Sequence, residues 1–191
     1  MGHRLSKITT RTGDAGETGL GDGSRRPKDN ARIHALGEVD ELNSALGLVL
    51  AEEVPAGIRQ ALERVQHDLF DLGGELSIPG HAMVTPDKIE ALEKDLEAWN
   101  ADLAPLKEFI LPGGTRAAAA AHLARAVCRR AERSVVALGR AEAVSPLARQ
   151  YLNRLSDLLF VAGRALNRQA GRSDVQWRHE RKKAGAQGRS K

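Results

Sequence analysis

Three things are scarce in this sequence of 191 residues: cysteine, aromatic side chains and long apolar runs. The single Cys128 cannot form a disulfide within the chain or hold a structural zinc, so a disulfide-stabilised secreted scaffold is excluded. A chain of this length buries roughly 70% of its unfolded surface and needs neither device. We therefore expect one domain with one apolar core.

No apolar run approaches the ~18 residues that a membrane-spanning helix needs. Residues 1–8 carry charges where a signal peptide would have an apolar stretch. From these absences we expect no membrane association and a cytoplasmic location.

Positive charge is concentrated at the C-terminus. The chain has 29 Lys and Arg against 25 Asp and Glu, and residues 172–191 alone hold seven basic and two acidic side chains. Because this tail accounts for the excess, the high pI does not predict that the folded body binds nucleic acid. We expect a single domain over residues 1–171, followed by a basic, disordered tail over residues 172–191.

Apolar residues recur at helical spacing in five segments. The predicted helices cover residues 31–53, 56–77, 86–103, 116–138 and 146–170. Thr85, which Pro86 follows at the first helical position, and Thr115 are predicted N-caps, and the fifth helix is predicted to open at Ser145-Pro146. Only residues 7–10 alternate like a strand, which is too short to build a sheet. The predicted fold is all-α, an up-and-down bundle of about five helices.

Before the first helix, residues 7–30 form a Gly-rich segment with threonines and basic side chains. Glycines at 13, 16, 19 and 21 permit turns that point successive N–H groups into one concavity, which suits a phosphate. The segment lacks the Gly-Lys-Ser/Thr of a P-loop and the strand–helix unit of a dinucleotide fold. From the residues alone, a flexible polar arm is the alternative.

The predicted fourth helix carries an arginine stripe with a single acid in it. Arg125, Arg129, Arg130 and Arg133 surround Glu132 there, opposite the apolar face. Guanidinium groups at helical spacing can grip a polyphosphate, but a solvated face with internal ion pairs is the alternative.

Four further residues are functional candidates. Two of them have both a functional and a structural interpretation, and for the other two we expect no functional role. Asn153 can donate to a phosphate or belong to ordinary bundle surface. Phe109 lies in a loop, where it either plugs the end of the core or contacts a ligand. Cys128 faces the predicted core as a small hydrophobe, and His67 has no second metal ligand at the usual spacing.

Six motifs follow one another along the chain: Thr10–Thr18, Arg26–Asp29, Gly37–Asn43, Phe109–Gly114, Cys128–Arg133 and Tyr151–Asp157. Together, over residues 7 to about 170, they resemble the motifs of the PduO-type ATP:cob(I)alamin adenosyltransferases. The resemblance implies a five-helix bundle that assembles as a homotrimer with active sites between subunits. It also implies transfer of the 5′-deoxyadenosyl group of ATP to Co(I) of reduced cobalamin, with triphosphate released.

The same resemblance implies roles for individual residues. ATP would be wrapped by the N-terminal segment of one subunit, through Thr10, Arg11, Thr12, Gly13, Asp14, Thr18 and Lys28. The neighbouring subunit would bind it through Arg129, Arg130, Glu132, Arg133 and Asn153. Arg129 would be the catalytic cation. Asp40 and Arg125 would pair across the subunit boundary, and Phe109 would lie under the corrin and displace its lower ligand, giving four-coordinate Co(II).

The implied cofactor is Mg²⁺ carried by ATP, with no metal site of the protein's own. The implied partners are ATP and cob(I)alamin or cob(II)alamin, together with a reductase and an adenosylcobalamin-dependent acceptor enzyme. The family often has Lys where this chain has Ala15, which removes one phosphate contact. Two rivals rank lower: a ferritin-like di-iron bundle, whose Glu-x-x-His motif does not occur here, and a helical adaptor or nucleic-acid binder.

Overall fold

The computed structural model describes residues 9–178, which form a five-helix bundle preceded by a small hairpin. The helices are α1 (Ala31–Leu50), α2 (Ala56–Ser77), α3 (Pro86–Ala101), α4 (Arg116–Leu138) and α5 (Pro146–Gln169). Each lies within one of the predicted segments. The predicted all-α bundle is therefore confirmed.

Packing between helices follows the apolar stripes. Helix α1 packs against α2 and α4, α4 packs against α5, and α5 packs against α3. In α2, six apolar side chains step by three and four positions, which keeps them on one face, and all six are buried in the core. These residues are Ile58, Leu62, Val65, Leu69, Leu72 and Leu76.

Both predicted N-caps, Thr85 and Thr115, occupy N-cap positions, and Ser145 occupies that of α5. Thr115 accepts a hydrogen bond from the Ala118 N–H at 3.1 Å, and Ser145 accepts one from the Leu147 N–H at 3.2 Å. Thr85 occupies the N-cap position, but its side chain makes no capping bond to the backbone.

A buried polar group joins three helices at the core. Tyr151 of α5 donates from its hydroxyl to Asp68 of α2 at 3.0 Å, and Lys88 of α3 also binds Asp68. Burial raises the pKa of Tyr151 well above its ordinary value of 10.0, and the charge of Asp68 adds to this effect. The tyrosine therefore stays neutral and acts as a hydrogen-bond donor.

Two short strands were not predicted. β1 (Glu17–Gly19) and β2 (Arg25–Pro27) pair antiparallel, with Thr18 opposite Arg26. No strand forms at residues 9 and 10, and the rest of the predicted 7–10 stretch lies outside the described residues.

The prediction that the tail is disordered from Arg172 is wrong for residues 172–178. This part forms a strap across the loop between α3 and α4, where Gln176 pairs with Ile110 in an isolated antiparallel bridge. The remainder of the predicted tail lies outside the described residues. Within the described range, no helix combines the length and apolarity needed to cross a bilayer.

Candidate functional site

The N-terminal segment has a defined path over the end of α2. Leu20 is buried, and the Gly21 N–H donates to the Ser77 carbonyl at 2.9 Å and to the Ser77 hydroxyl at 2.7 Å. A Cβ on Gly21 would lie 2.7 Å from the side chain of Ile78, so this close approach requires glycine. Residues 9–30 are thus fastened to the bundle and do not hang free as a polar arm.

Donor groups of this segment gather on its exposed side. The Thr10 and Thr12 hydroxyls are 2.9 Å apart. The Lys28 Nζ lies 3.2 Å from the point that a Cβ on Gly13 would occupy, so the ammonium group covers the glycine turn. Arg11 has a φ of +60°, a strained backbone for a non-glycine residue. Hydroxyl, ammonium and guanidinium donors around a glycine turn can hold an anion.

Asp14 and Thr18 complete the predicted N-terminal set. Asp14 is exposed, and its N–H donates to the Arg11 carbonyl at 3.4 Å, which closes the turn. Thr18 lines a groove of about 570 Å³ formed with α1 and α2, which we call the α1–α2 groove. Asp40 and Phe70 also line this groove. Phe70 is 72% exposed, an unusual position for so large an apolar side chain.

The arginines of α4 point in different directions. Arg130 binds Glu38 and Glu41 of α1, and the hydrogen bonds to these carboxylates raise the pKa of its guanidinium. Arg133 donates back to the Arg129 carbonyl at 3.1 Å. Among residues 9–178, the exposed Arg129 side chain has no hydrogen bond or ion pair. Arg129 is therefore an exposed cation of the stripe that is available to a ligand.

A second groove, of about 610 Å³, lies between α3, α4 and α5, and we call it the α3–α5 groove. Arg125 and Arg129 line it, together with Phe160 and Asp157. The Arg125 Nε is buried and has no hydrogen-bond partner within the described part of the chain. A buried guanidinium nitrogen without a partner costs free energy, so this position is suited to an acceptor from outside the protomer.

Asn153 lies one helix away from the arginines and is connected to them. Its amide donates from Nδ2 to the Glu132 Oε1 at 3.1 Å, which holds Glu132 between α4 and α5. The structure therefore brings Asn153, Glu132 and Arg129 to one exposed side of the bundle.

Phe109 does not plug the core, because its side chain is 76% exposed. Its carbonyl accepts a hydrogen bond from the Trp177 N–H at 2.7 Å, and the two rings meet edge to face with centroids 6.5 Å apart. An exposed aromatic ring held by another aromatic ring is a platform for an apolar ligand surface.

The two predicted halves of the nucleotide site face different parts of one protomer. The N-terminal segment lies against α1 and α2, whereas Arg125 and Arg129 line the α3–α5 groove. No hydrogen bond or ion pair between described residues joins residues 9–30 to Arg125, Arg129 or Asn153. Asp40 and Arg125 are likewise on separate grooves and do not pair within the chain.

The described residues offer neither an exposed cysteine nucleophile nor a cluster of metal-binding side chains. Burial raises the pKa of the Cys128 thiol, which donates to the Leu152 carbonyl at 3.2 Å. The described residues contain no group of three or more His, Cys, Asp or Glu side chains placed to hold a metal ion.

The sequence profile of the cobalamin adenosyltransferase family matches residues 8–166. The chain belongs to this family. A cobalamin adenosyltransferase from Cupriavidus metallidurans is 62% identical over 182 residues, which cover 95% of this chain and 99% of that protein. The corrinoid adenosyltransferase of Bacillus subtilis is 43% identical over 178 residues, which cover 90% of this chain and 92% of the relative.

Solved structures of adenosyltransferases are similar to the whole bundle. A phenylalanine-to-alanine variant of the PduO-type ATP:corrinoid adenosyltransferase from Lactobacillus reuteri, complexed with cobalamin and ATP, matches with a TM-score of 0.84 and 34% identity. The matched region covers 91% of the present chain and 100% of the Lactobacillus reuteri chain. An arginine-to-lysine variant of the same enzyme, complexed with ATP, matches with a TM-score of 0.84, 36% identity and coverage of 90% and 100%.

The sequence did not predict that three polar side chains of this adenosyltransferase hold the loop between α3 and α4, which carries Phe109. Arg164 has the composition of ordinary helix surface but is only 6% exposed, and it forms an ion pair with Asp174. Asn167 is buried as well and bonds to the loop. The available signal was that polar residues interrupt the largely apolar run 161–167 of α5, since polar groups that are buried among apolar ones are retained with partners.

Proposed function

We propose that this chain transfers the 5′-deoxyadenosyl group of ATP to Co(I) of reduced cobalamin, giving adenosylcobalamin and triphosphate, at sites shared between neighbouring copies. The observation that supports shared sites is the separation of the N-terminal segment from Arg129 within one copy. Two complementary elements on different faces would meet head to tail, and such contacts form a ring when the rotation between neighbouring copies closes. A homotrimer, the assembly that the resemblance implies, satisfies this geometry.

The N-terminal segment of one copy is proposed to hold the ATP phosphates. Thr10, Thr12 and Lys28 supply hydroxyl and ammonium donors, and the turn at Gly13 lets the chain approach the anion closely. The remaining proposed contacts of this segment are Arg11, Asp14 and Thr18. Mg²⁺ would arrive with the nucleotide and offset phosphate charge.

The neighbouring copy is proposed to contribute the arginine stripe, with Arg129 acting on the reaction itself. Co(I) attacks C5′ with its own electron pair, so a Co–C5′ bond forms while the C5′–O bond breaks and triphosphate leaves. Negative charge therefore grows on the leaving group, and the exposed guanidinium of Arg129, which has no partner within residues 9–178, can meet it. Arg130, Glu132, Arg133 and Asn153 would fix its surroundings.

Cobalamin is proposed to bind beside the exposed ring of Phe109. An apolar ring beneath the cobalt would exclude the lower ligand and water, which favours a four-coordinate Co(II) that is easier to reduce. Asp40 of one copy would pair with Arg125 of the next near the corrin, which would give the buried Arg125 Nε an acceptor. The reductase that supplies the electron, the acceptor enzyme and the cytoplasmic location stay predictions.

The reaction is tested by incubating the protein with MgATP and chemically reduced cobalamin and recording the spectrum of adenosylcobalamin. We expect the alkylcobalamin spectrum to grow with equimolar release of triphosphate. Omitting either ATP or the reductant is the control. An unchanged spectrum under anaerobic conditions would count against the transferase and in favour of the adaptor or nucleic-acid binder, which would ignore cobalamin.

The shared site is tested by complementation between two inactive variants. Lys28→Ala damages the N-terminal segment, and Arg129→Ala damages the stripe. If each site takes one element from each of two copies, then unfolding and refolding the variants together in equal amounts restores about one quarter of the sites. Each variant refolded alone is the control. Mixed oligomers that remain inactive would indicate a site built within one protomer.

A further inference from the structure

The loop between α3 and α4, residues 102–115, is held at both ends by α5. Arg164 donates from Nη2 to the Ala104 carbonyl at 2.7 Å, and Asn167 donates from Nδ2 to the Gly113 carbonyl at 3.0 Å. The Asn167 Oδ1 also accepts from the Thr115 N–H at 3.0 Å. Two buried polar side chains of one helix thus fix where the loop begins and where it ends.

Glycine at position 114 makes this attachment possible. Gly114 has a φ of +113°, and a Cβ there would lie 2.0 Å from the Asn167 Oδ1. Any side chain would displace Asn167 and strain the backbone. The loop end is therefore shaped around the Asn167 amide.

The middle of the loop is held by the strap, residues 172–178. The Leu111 N–H donates to the Val175 carbonyl at 2.7 Å, and the Trp177 N–H donates to the Phe109 carbonyl at 2.7 Å. Since the Phe109 ring is largely exposed, burial in the core does not fix its position. Its placement depends on this backbone pairing and on the Trp177 ring.

The strap is in turn fastened to α5 by Asp174. Its Oδ2 accepts from the Arg164 Nε at 2.9 Å, and its Oδ1 accepts from the Asn167 Nδ2 at 3.3 Å. The side chains of Arg164 and Asp174 are 7% and 16% exposed, so the ion pair is largely removed from water. Removing one partner of such a pair leaves the other charge without compensation.

We propose that Asp174 is a positioning residue for cobalamin binding: through Arg164 and Asn167 it fixes the strap to α5, and the strap fixes Phe109. This inference rests on the proposed role of Phe109 at the corrin. It assigns no contact with substrate to Asp174 itself. It predicts that Asp174 affects cobalamin and leaves ATP almost untouched, because the N-terminal segment shares no contact with the strap within the described residues.

The test compares Asp174→Ala with Asp174→Asn and with the control Asp102→Ala. Asp102 forms an exposed ion pair with Arg168 at 3.2 Å beside the same loop, so its loss changes local charge without loosening the strap. For Asp174→Ala we expect kcat/KM for cobalamin to fall roughly 10-fold or more, since a misplacement of about 1 Å can cost about 10²-fold. The KM for ATP should stay within about twofold, and Asp174→Asn should be intermediate because it keeps the hydrogen-bonding shape.

Hydrogen exchange supplies a readout that does not depend on the reaction. The amides of Leu111 and Trp177 should exchange at least about 10-fold faster in Asp174→Ala, while those of α4 stay unchanged. Unchanged exchange at both amides would show that Asp174 does not fix the strap to α5. Faster exchange with an unchanged kcat/KM for cobalamin would overturn the positioning role. A wild-type chain that makes no adenosylcobalamin would instead refute the proposed function, and exchange would still decide whether Asp174 holds the strap.

Discussion

Replacing Arg129 by alanine should separate catalysis from stability. Its guanidinium is exposed and has no ion pair or hydrogen bond within residues 9–178. Losing it should therefore change the free energy of unfolding by no more than about 0.5 kcal/mol, as at other exposed sites. Turnover should fall about 10²-fold or more, equivalent to roughly 2.7 kcal/mol of transition-state stabilisation, because the group acts on charge that develops as triphosphate leaves.

The matched comparison is Arg130→Ala, one position along the same helix. Arg130 binds Glu38 and Glu41, and the side chain of Glu38 is only 11% exposed. Removing the Arg130 side chain should lower the thermal midpoint, because the largely buried carboxylate of Glu38 loses this cation. Initial rates of adenosylcobalamin formation and thermal denaturation, measured on both variants and on Arg129→Lys, give the two quantities. Near-normal turnover of Arg129→Ala would remove this arginine from the mechanism.

Three further predictions follow from single side chains. Phe109→Ala should leave ATP affinity nearly intact and impair formation of four-coordinate Co(II), and an unchanged spectrum of bound cob(II)alamin would contradict this. Asp40→Asn should weaken assembly by up to ~3 kcal/mol if it loses its pairing with Arg125 of the next copy, so unaltered sedimentation and cobalamin affinity would count against the pair. Tyr151→Phe should cost about 1 kcal/mol at neutral pH through the lost bond to Asp68. Because the folded pKa of Tyr151 is raised above 10.0, its stabilisation is complete below pH 10 and declines as pH rises further, so denaturant titrations should show a weaker alkaline loss in the phenylalanine variant.

The helices were predictable because their apolar residues keep one period over many turns. In α2 the pattern continues over the whole helix, and its bounds, Ala56–Ser77, are the predicted ones. Ends that lack such a pattern were less accurate, since α1 ends at Leu50 and α3 at Ala101, each before the predicted end. Terminal turns depend on a few local bonds, so small errors there are expected.

The hairpin and the strap were missed for different reasons. Each strand of the hairpin has only three residues, too few for alternation to register, although Asp22–Gly23 between them is a turn signal. The strap pairs Gln176 with Ile110, which is far away in the chain. A polar, basic composition is typical of disorder, and nothing local shows that a distant loop supplies the missing backbone partners.

The residues of the candidate site could be named from their motifs, but their arrangement could not. Helical spacing places Arg125, Arg129 and Arg133 on nearly one stripe, and it does not show that Arg130 is occupied by α1 while Arg129 is left unpaired. It also gives no sign that the N-terminal segment and the stripe lie on separate faces. That information exists only once the helices have packed.

The contact between Trp177 and Phe109 gives the molecule an optical reporter of its own. Trp99 packs against the core of the bundle, so replacing it by phenylalanine would leave Trp177 as the sole indole in the chain. A corrin that settled on Phe109 would then lie close enough to quench this emission by energy transfer. Docking of cobalamin could thus be followed in real time, without a label and before any cobalt–carbon bond is made.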